Sequence, residues 1–407
     1  IMPKIKIKER DLTTNPSVAL NLEYILYVKD GILDSNEAPR LLKEEDLSKV
    51  KDNDKDFFEL ALKLGGKIII AKDWEDAKNY CSDRNQYDVK FILAKEGDTY
   101  TSTKTVKNEA GEETTIEETK YRLEDALDIA QKRKDCVVIY TKINPNYTTN
   151  ITESNLLKLN CNYIENSEFF SDEVKTAVGK YVLAFYAPGN LHKEKNANLD
   201  AGKGYILALL NNVAKGKSDY LAVAGKERGI IPGNYIVDSF LKEEDIDNMQ
   251  LRNYDENNLI AINPIVNMNP WGTRIWGNRT CLPNNNVTDE NNKVDEKADQ
   301  LVGSSFANIR IAICDIKKAL YKAARKYQFE QNTDVLWVNF TSEVNSLLEE
   351  MKSSYGIVGY RWKRDSVNEQ RGELRAILQI QPIEAVEDFT ITCELKDSLE
   401  DNIQIAE

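Results

Sequence analysis

Few residues of this chain combine a reactive type with the spacing that a reaction needs. Lys215-Gly216-Lys217-Ser218 has the ending of a phosphate-binding loop, but such a loop needs glycine five residues before its second glycine, and position 211 is asparagine. That loop also joins a strand to the helix after it, whereas this segment trails a helical stretch. Gly202 and Gly204 make no dinucleotide fingerprint, because no strand pattern precedes them. His192 is the only histidine, which removes histidine triads and histidine-cluster metal sites. It sits in the polar stretch Asn190-Leu-His-Lys-Glu194 and is expected to be solvated. The cysteines at 81, 136, 161, 281, 314 and 393 form no C-x-x-C pair and no metal knuckle, so they read as reduced, buried thiols. Glu349-Glu350 falls on an exposed helix face. No catalytic residue, cofactor-binding residue or metal ligand emerges, no cofactor is implied, and the chain reads as not an enzyme.

One charged group stands out. Lys317, Lys318, Lys322, Arg325 and Lys326 concentrate on one helix of an otherwise acidic chain. An ordinary amphipathic exterior accounts for them. A contact surface for a partner is the alternative, with Lys318, Lys322 and Arg325 as its candidates.

The elements that carry these residues follow from apolar spacing. A helix starting near Arg310 places Ile313, Ile316, Leu320, Ala323 or Ala324, and Tyr327 on one face. A second helix follows the N-cap region Asn332-Thr-Asp334, with Trp337, Phe340, Val344, Leu347, Leu348 and Met351 as its stripe. Gly356 then suits a left-handed helix cap. Residues 357 to 364 and 373 to 381 read as strands joined by the polar segment 367 to 372. Upstream, strands are expected at 21 to 28, 67 to 71, 88 to 94, 136 to 140, 181 to 188 and 259 to 263. Helices are expected at 56 to 64, 74 to 85, 121 to 133 and 201 to 213. Residues 95 to 120 are polar and suit an outer hairpin or loop. At the two ends, Lys4, Ile5, Lys6 and Ile7 alternate as an isolated strand does, and Phe389, Thr390, Ile391 and Thr392 form a spare strand. A lone terminal strand must pair either with its own chain or with a neighbour's sheet.

Composition bounds the rest. The chain has 407 residues, enough for two to four domains, with 41% hydrophobic and 30% charged residues. A net charge of −13 argues against a nucleic-acid binder. No apolar run approaches eighteen residues, so no membrane span is expected.

The order of elements carries a resemblance. Gly272-x-x-x-Trp276-Gly277-x-Arg279-Thr280 is followed by a polar loop and Asn308-x-Arg310, read as a strand over 306 to 311. Two helices, a glycine turn, a strand pair and a terminal strand over 389 to 395 complete it. This succession resembles the contractile tail sheath proteins of bacteriophages and R-type tailocins. The likeness is close over 175 to 395 and looser over 20 to 72. Three departures stand out: a single arginine where the family often has a pair, an Asn- and acid-rich loop at 284 to 300, and a segment at 76 to 165 with no counterpart.

The resemblance implies an α/β fold of mixed sheets in several domains, with exchanged N- and C-terminal strands. The expected domains are an N-terminal arm (1–19), a first part of the core (20–75), a variable outward-facing segment (76–165), the core continued (166–271), a C-terminal assembly domain (272–387) and a C-terminal arm (388–407). The subunits would stack as hexameric rings around an inner tail tube and contract to drive that tube through a cell envelope. Lys318, Lys322 and Arg325 would touch the tube. Further partners would be baseplate and tail terminator proteins, with no nucleic acid and no membrane insertion. The particle would be a phage tail or tailocin assembled in the bacterial cytoplasm. A non-contractile virion protein and a tail-associated hydrolase are the alternatives.

Overall fold

The computed structural model describes residues 25–29, 32–50, 52–107, 113–143, 162–165, 174–193, 198–237, 240–249, 261–281, 305–364 and 374–383. Its centre is built from short apolar runs. β1 (Ile25–Val28), β3 (Ile68–Ala71), β4 (Phe91–Lys95), β7 (Val137–Lys142), β10 (Val182–Tyr186) and β13 (Ile262–Met268) pair in parallel, in the order β3-β1-β4-β7-β10-β13. Runs such as Ile68-Ile-Ile-Ala71 have no polar face because both sides of a parallel sheet are covered. Alternate side chains serve two cores. Ile25, Ile70, Phe91, Ile139 and Phe185 point to one, and Leu26, Ile69, Ile92, Val138 and Ala184 to the other. Helices α1 (Asp52–Lys63) and α4 (Ala201–Ala214) cover the first face, while α2 (Trp74–Cys81) and α3 (Arg122–Arg133) cover the second.

Both edges of this sheet end on antiparallel strands. β2 (Arg40–Leu41) pairs with β3, and β14 (Gly272–Ile275) pairs with β13. β14 is itself bridged on its outer side, where Ile275 N–H donates to the Gly229 carbonyl at 2.9 Å and Arg274 bridges Ile230. β5 (Thr99–Lys107) and β6 (Glu113–Tyr121) form a separate hairpin, as expected for the polar stretch there.

The C-terminal module comprises α7 (Ala307–Lys326), α8 (Asp334–Ser353), β15 (Ile357–Arg364) and β16 (Ala376–Pro382). Thr333 caps α8, its hydroxyl accepting from Leu336 N–H at 3.2 Å.

Four expectations are corrected. Residues 76 to 165 are not an outer segment as a whole, because β4 and β7 lie in the middle of the sheet with α3 over them. Residues 272 to 387 are not a separate unit either: β14 extends the central sheet, and Ile311, Ile316 and Leu348 share a core with Phe91 and Ile139. The stretch 306 to 311 is a one-residue bridge at Phe306 followed by the first turn of α7. Every residue from 307 to 312 is buried, so no helical period shows there. Finally, Tyr355 carries the positive φ of 61° after α8, not Gly356. Gly356 is needed for proximity, since a Cβ there would lie 2.6 Å from the Tyr220 ring.

Candidate assembly interface

In open α/β sheets, ligands bind beyond the carboxyl ends of the strands where the strand order reverses. Here that point lies between β1 and β4, and the chain's own charges fill it. Lys203, near the start of α4, donates to Asp54 at 2.6 Å and to Asp200 at 3.0 Å. Lys29 at the end of β1 also meets Asp54, and Lys95 at the end of β4 meets Asp200 at 2.7 Å. Burial alone would raise the carboxyls of Asp54 and Asp200, but the amines around them outweigh it and hold both below the usual range. Each of these three lysines is committed to a carboxylate, which leaves the crevice poorly suited to a phosphate. The Lys215–Ser218 segment lies at the carbonyl end of α4, the wrong pole for an anion. His192 pairs in a short strand, with its Nδ1 3.0 Å from the Ile236 carbonyl. Cys81, Cys136, Cys281 and Cys314 are free and buried. Among the described residues, no group of His, Cys, Asp or Glu could hold a metal ion.

The tryptophan-glycine stretch positions the C-terminal module. Gly277 leaves room for Asn263, whose side-chain Oδ1 lies 2.7 Å from where a Cβ would stand. Asn263 donates to the carbonyls of Ala184 (3.0 Å) and Arg279 (2.7 Å), and accepts from Arg279 N–H (2.7 Å). Asn278 then bonds Asn308 at 2.7 Å, while Ala307 N–H donates to the Asn278 carbonyl at 2.9 Å. The stretch thus pins the start of α7 to the edge of the central sheet.

A buried charge cluster makes the second joint. Lys90, 1% exposed, lies between Asp219 in the loop after α4 and Asp315 on α7. Burial would lower its pKa, but the two carboxylates outweigh that and raise it above the ordinary lysine range. A lysine between Val89 and Phe91 in an apolar run was the one sequence signal for this cluster. Its partners sit 129 and 225 positions away, beyond any local pattern.

Lys318, 5% exposed, turns inward to Asp88 and donates to the Val89 carbonyl at 2.9 Å. Lys322 reaches the other oxygen of Asp88 at 3.1 Å. Burial would raise the Asp88 carboxyl, and Lys318 and Lys322 together hold it far below the usual range. Arg325 is exposed, 5.9 Å from the Tyr321 ring centroid. The basic set is therefore not one surface: Lys318 serves the fold, and Arg325 faces solvent.

At the far side of α8 the small sheet is half-covered. Tyr360, Trp362, Leu378 and Ile380 face the helices, and Ile377, Gln379 and Gln381 are exposed on the opposite face. Trp362 meets Trp337 edge-on at 5.6 Å and donates to Asn345 at 2.8 Å. Tyr360 donates to Glu349 at 2.8 Å. Among the described residues this sheet has only β15 and β16, so each offers an outer edge. Lys4, Ile5, Lys6, Ile7, Phe389, Thr390, Ile391 and Thr392 lie outside the described residues, as do the segments 284 to 300 and 367 to 372.

Residues 304–396, which span this module, match the model of the phage tail sheath C-terminal domain. That stretch is similar to a phage tail sheath domain. The whole chain also has the fold of solved sheath proteins. A sheath chain of the contracted PVC extracellular contractile injection system is 14% identical, with 98% of each chain covered and a TM-score of 0.60. A chain from the anti-feeding prophage baseplate is 12% identical, with a TM-score of 0.57 over 97% of this chain and 99% of that one. One from the contracted anti-feeding prophage helical sheath is 13% identical, with a TM-score of 0.53 over 98% and 99%. Among curated proteins no relative matches the sequence. The sheath resemblance seen in the order of motifs holds, and it extends to the central sheet.

Proposed function

We propose that this chain is the structural subunit of a contractile tail sheath, stacked as hexameric rings around an inner tube. The observation that carries the reading is a sheath domain whose two-stranded sheet offers long outer edges, mounted on a body whose ligand crevice is already filled. Residues 4 to 7 of one copy and 389 to 392 of another would add strands to those edges. Backbone hydrogen bonds would then supply the affinity and alternate side chains the register. Such association is heterologous and grows into a helical lattice. Contraction would repack rigid bodies while the strand links hold. A gain of about 1 kcal/mol per contact, multiplied over many subunits, is enough to drive it. Arg325 is the best placed of the three basic candidates to face the tube, and Lys322 contributes its exposed side. Baseplate and terminator proteins would close the ends of a phage tail or tailocin assembled in the host cytoplasm. The chain's role is structural, with no reaction of its own.

Electron microscopy of the purified full chain, with and without a tube, tests this. The expected outcome is hollow cylinders from the full chain. Chains lacking residues 1–10 or 388–407 should fold as monomers and form none. Cylinders from either truncated chain would remove the strand-exchange reading, and dispersed full-length protein on a tube would remove the sheath reading.

A further inference from the structure

The hairpin of β5 and β6 supplies none of the described residues of the two cores. Its ladder runs without a bulge from Thr99–Tyr121 to Lys107–Glu113, a span of about 27 Å. Its base is held against α3. Arg122 N–H donates to the Asp98 carbonyl at 2.9 Å, the Arg122 guanidinium lies 4.0 Å from the Tyr100 ring centroid, and Tyr100 donates to Asp125 at 3.4 Å. On the opposite face Thr99, Thr101 and Glu117 are exposed. β4 begins beside the joint with α7, where Asp88 and Lys90 lie, and gives way to the hairpin at its other end. The hairpin therefore leaves the large sheet at the pole away from that joint. Neither strand contains proline or glycine, and among the described residues no third strand pairs with either. Exposed edges are usually guarded by proline, bulges or lysine. Here the charges are sorted between the strands instead. β5 carries Lys104 and Lys107 with no acid, and β6 carries Glu113, Glu117 and Glu118 with Lys120. Within the ladder only Lys107 and Glu113 stand directly opposite one another. Pairing β5 with β5, or β6 with β6, would gather like charges, which destabilise a sheet. Pairing β6 with β5 of a second copy gathers opposite ones.

We propose that the outer edge of β6 pairs antiparallel with the outer edge of β5 in a neighbouring copy, which makes the hairpin a second link between subunits, coded by charge. The inference rests on the sheath reading, which brings copies side by side. The register lies two residues on from the ladder within a copy, so every side chain keeps its face. Glu118, opposite Ser102 in its own ladder, then stands opposite Lys104 of the neighbouring copy, and Glu117 is diagonal to Lys107 of that copy. One basic and one acidic edge per copy make the contact heterologous, so it propagates from copy to copy.

The test is rescue between variants of the full chain. Glu118→Lys sets lysine against Lys104 of the neighbouring copy, and Lys104→Glu sets acid against Glu118. Each variant alone should lower the fraction of chain in cylinders roughly tenfold, because the lost contact repeats at every subunit. An equal mixture of the two should assemble nearly as well as the parent, since each contact between unlike variants again joins opposite charges. Lys104 and Glu118 are also diagonal within one ladder, and mixing cannot rescue a pair that acts inside one copy. Zero-length carbodiimide coupling on cylinders built from equal parts of 14N and 15N chain, read by mass spectrometry, gives a second readout. Lys104 should be joined to Glu118 of a differently labelled copy, and that product should be absent from monomers. If a variant does not fold, the coupling result decides. Single variants that assemble as the parent does, a mixture no better than its components, or Lys104 coupled only within its own copy would each overturn the proposal and leave the sheath reading intact. A parent chain that builds no cylinders at all would overturn both.

Discussion

The eight-stranded sheet and the two-stranded sheet differ most at their edges. The large sheet ends on a two-residue strand at one side and, at the other, on β14, whose outer face is already bridged by residues 229 and 230. Short or covered edges are how proteins avoid unwanted pairing. The small sheet runs seven and eight residues per strand, and among the described residues nothing pairs with either outer side. Their interiors differ in the same sense. The large sheet is apolar on both faces; the small one alternates half-buried and exposed side chains. One region completes its own bonding; the other, under the proposed strand exchange, would complete it on a neighbour. The proposed function would use both, because a lattice that moves requires stiff bodies joined by backbone links.

The largest effect is expected at the joint between the two regions. Lys90→Ala leaves Asp219 and Asp315 facing each other in the core, and loss of one member of such a cluster costs about 3–5 kcal/mol. The thermal midpoint should fall sharply, and an unchanged melt would mean that the two regions are not joined there. Gly356→Ala pushes a methyl into the Tyr220 ring and should cost about 1–3 kcal/mol, seen as a lower denaturant midpoint with the same slope. Lys317→Met should act in the opposite direction. The Lys317 amine is depressed to about 8 in the folded chain. The unfolded chain therefore binds its proton more tightly, with a pKa of about 10.4. The penalty is complete below pH 8 and fades as pH rises from 8 toward that value. The unassembled variant should melt higher than the parent at pH 7, and the gap should close by pH 10.5. Smallest in stability is the paired change Ile377→Lys with Gln379→Lys on the exposed face of β16. It should shift the monomer by no more than about 0.5 kcal/mol and yet block cylinder formation. Normal cylinders from that variant would show that the small sheet is as closed as the large one.

Much of this was legible in the residues. The apolar runs marked six central strands to within a few positions, and the stripe Val344, Leu348 and Met351 fixed the buried face of α8. The order of motifs identified the sheath domain. Spatial order was not legible: β4 and β7 look like any buried strands, and their central position depends on pairings across the chain. Lys318 reads as part of a solvated stripe because Asp88, its partner, lies 230 positions earlier. Gly356 signals a turn, but its neighbour Tyr220 can be known only once the loop after α4 is placed against α8.

Burial also disarms the thiols among the described residues. It pushes Cys81, Cys136 and Cys281 up to about 12, so that almost no thiolate exists in folded chains at neutral pH. An alkylating reagent in the buffer then acts as a stopwatch for opening. At these three positions it tags only molecules that have come apart.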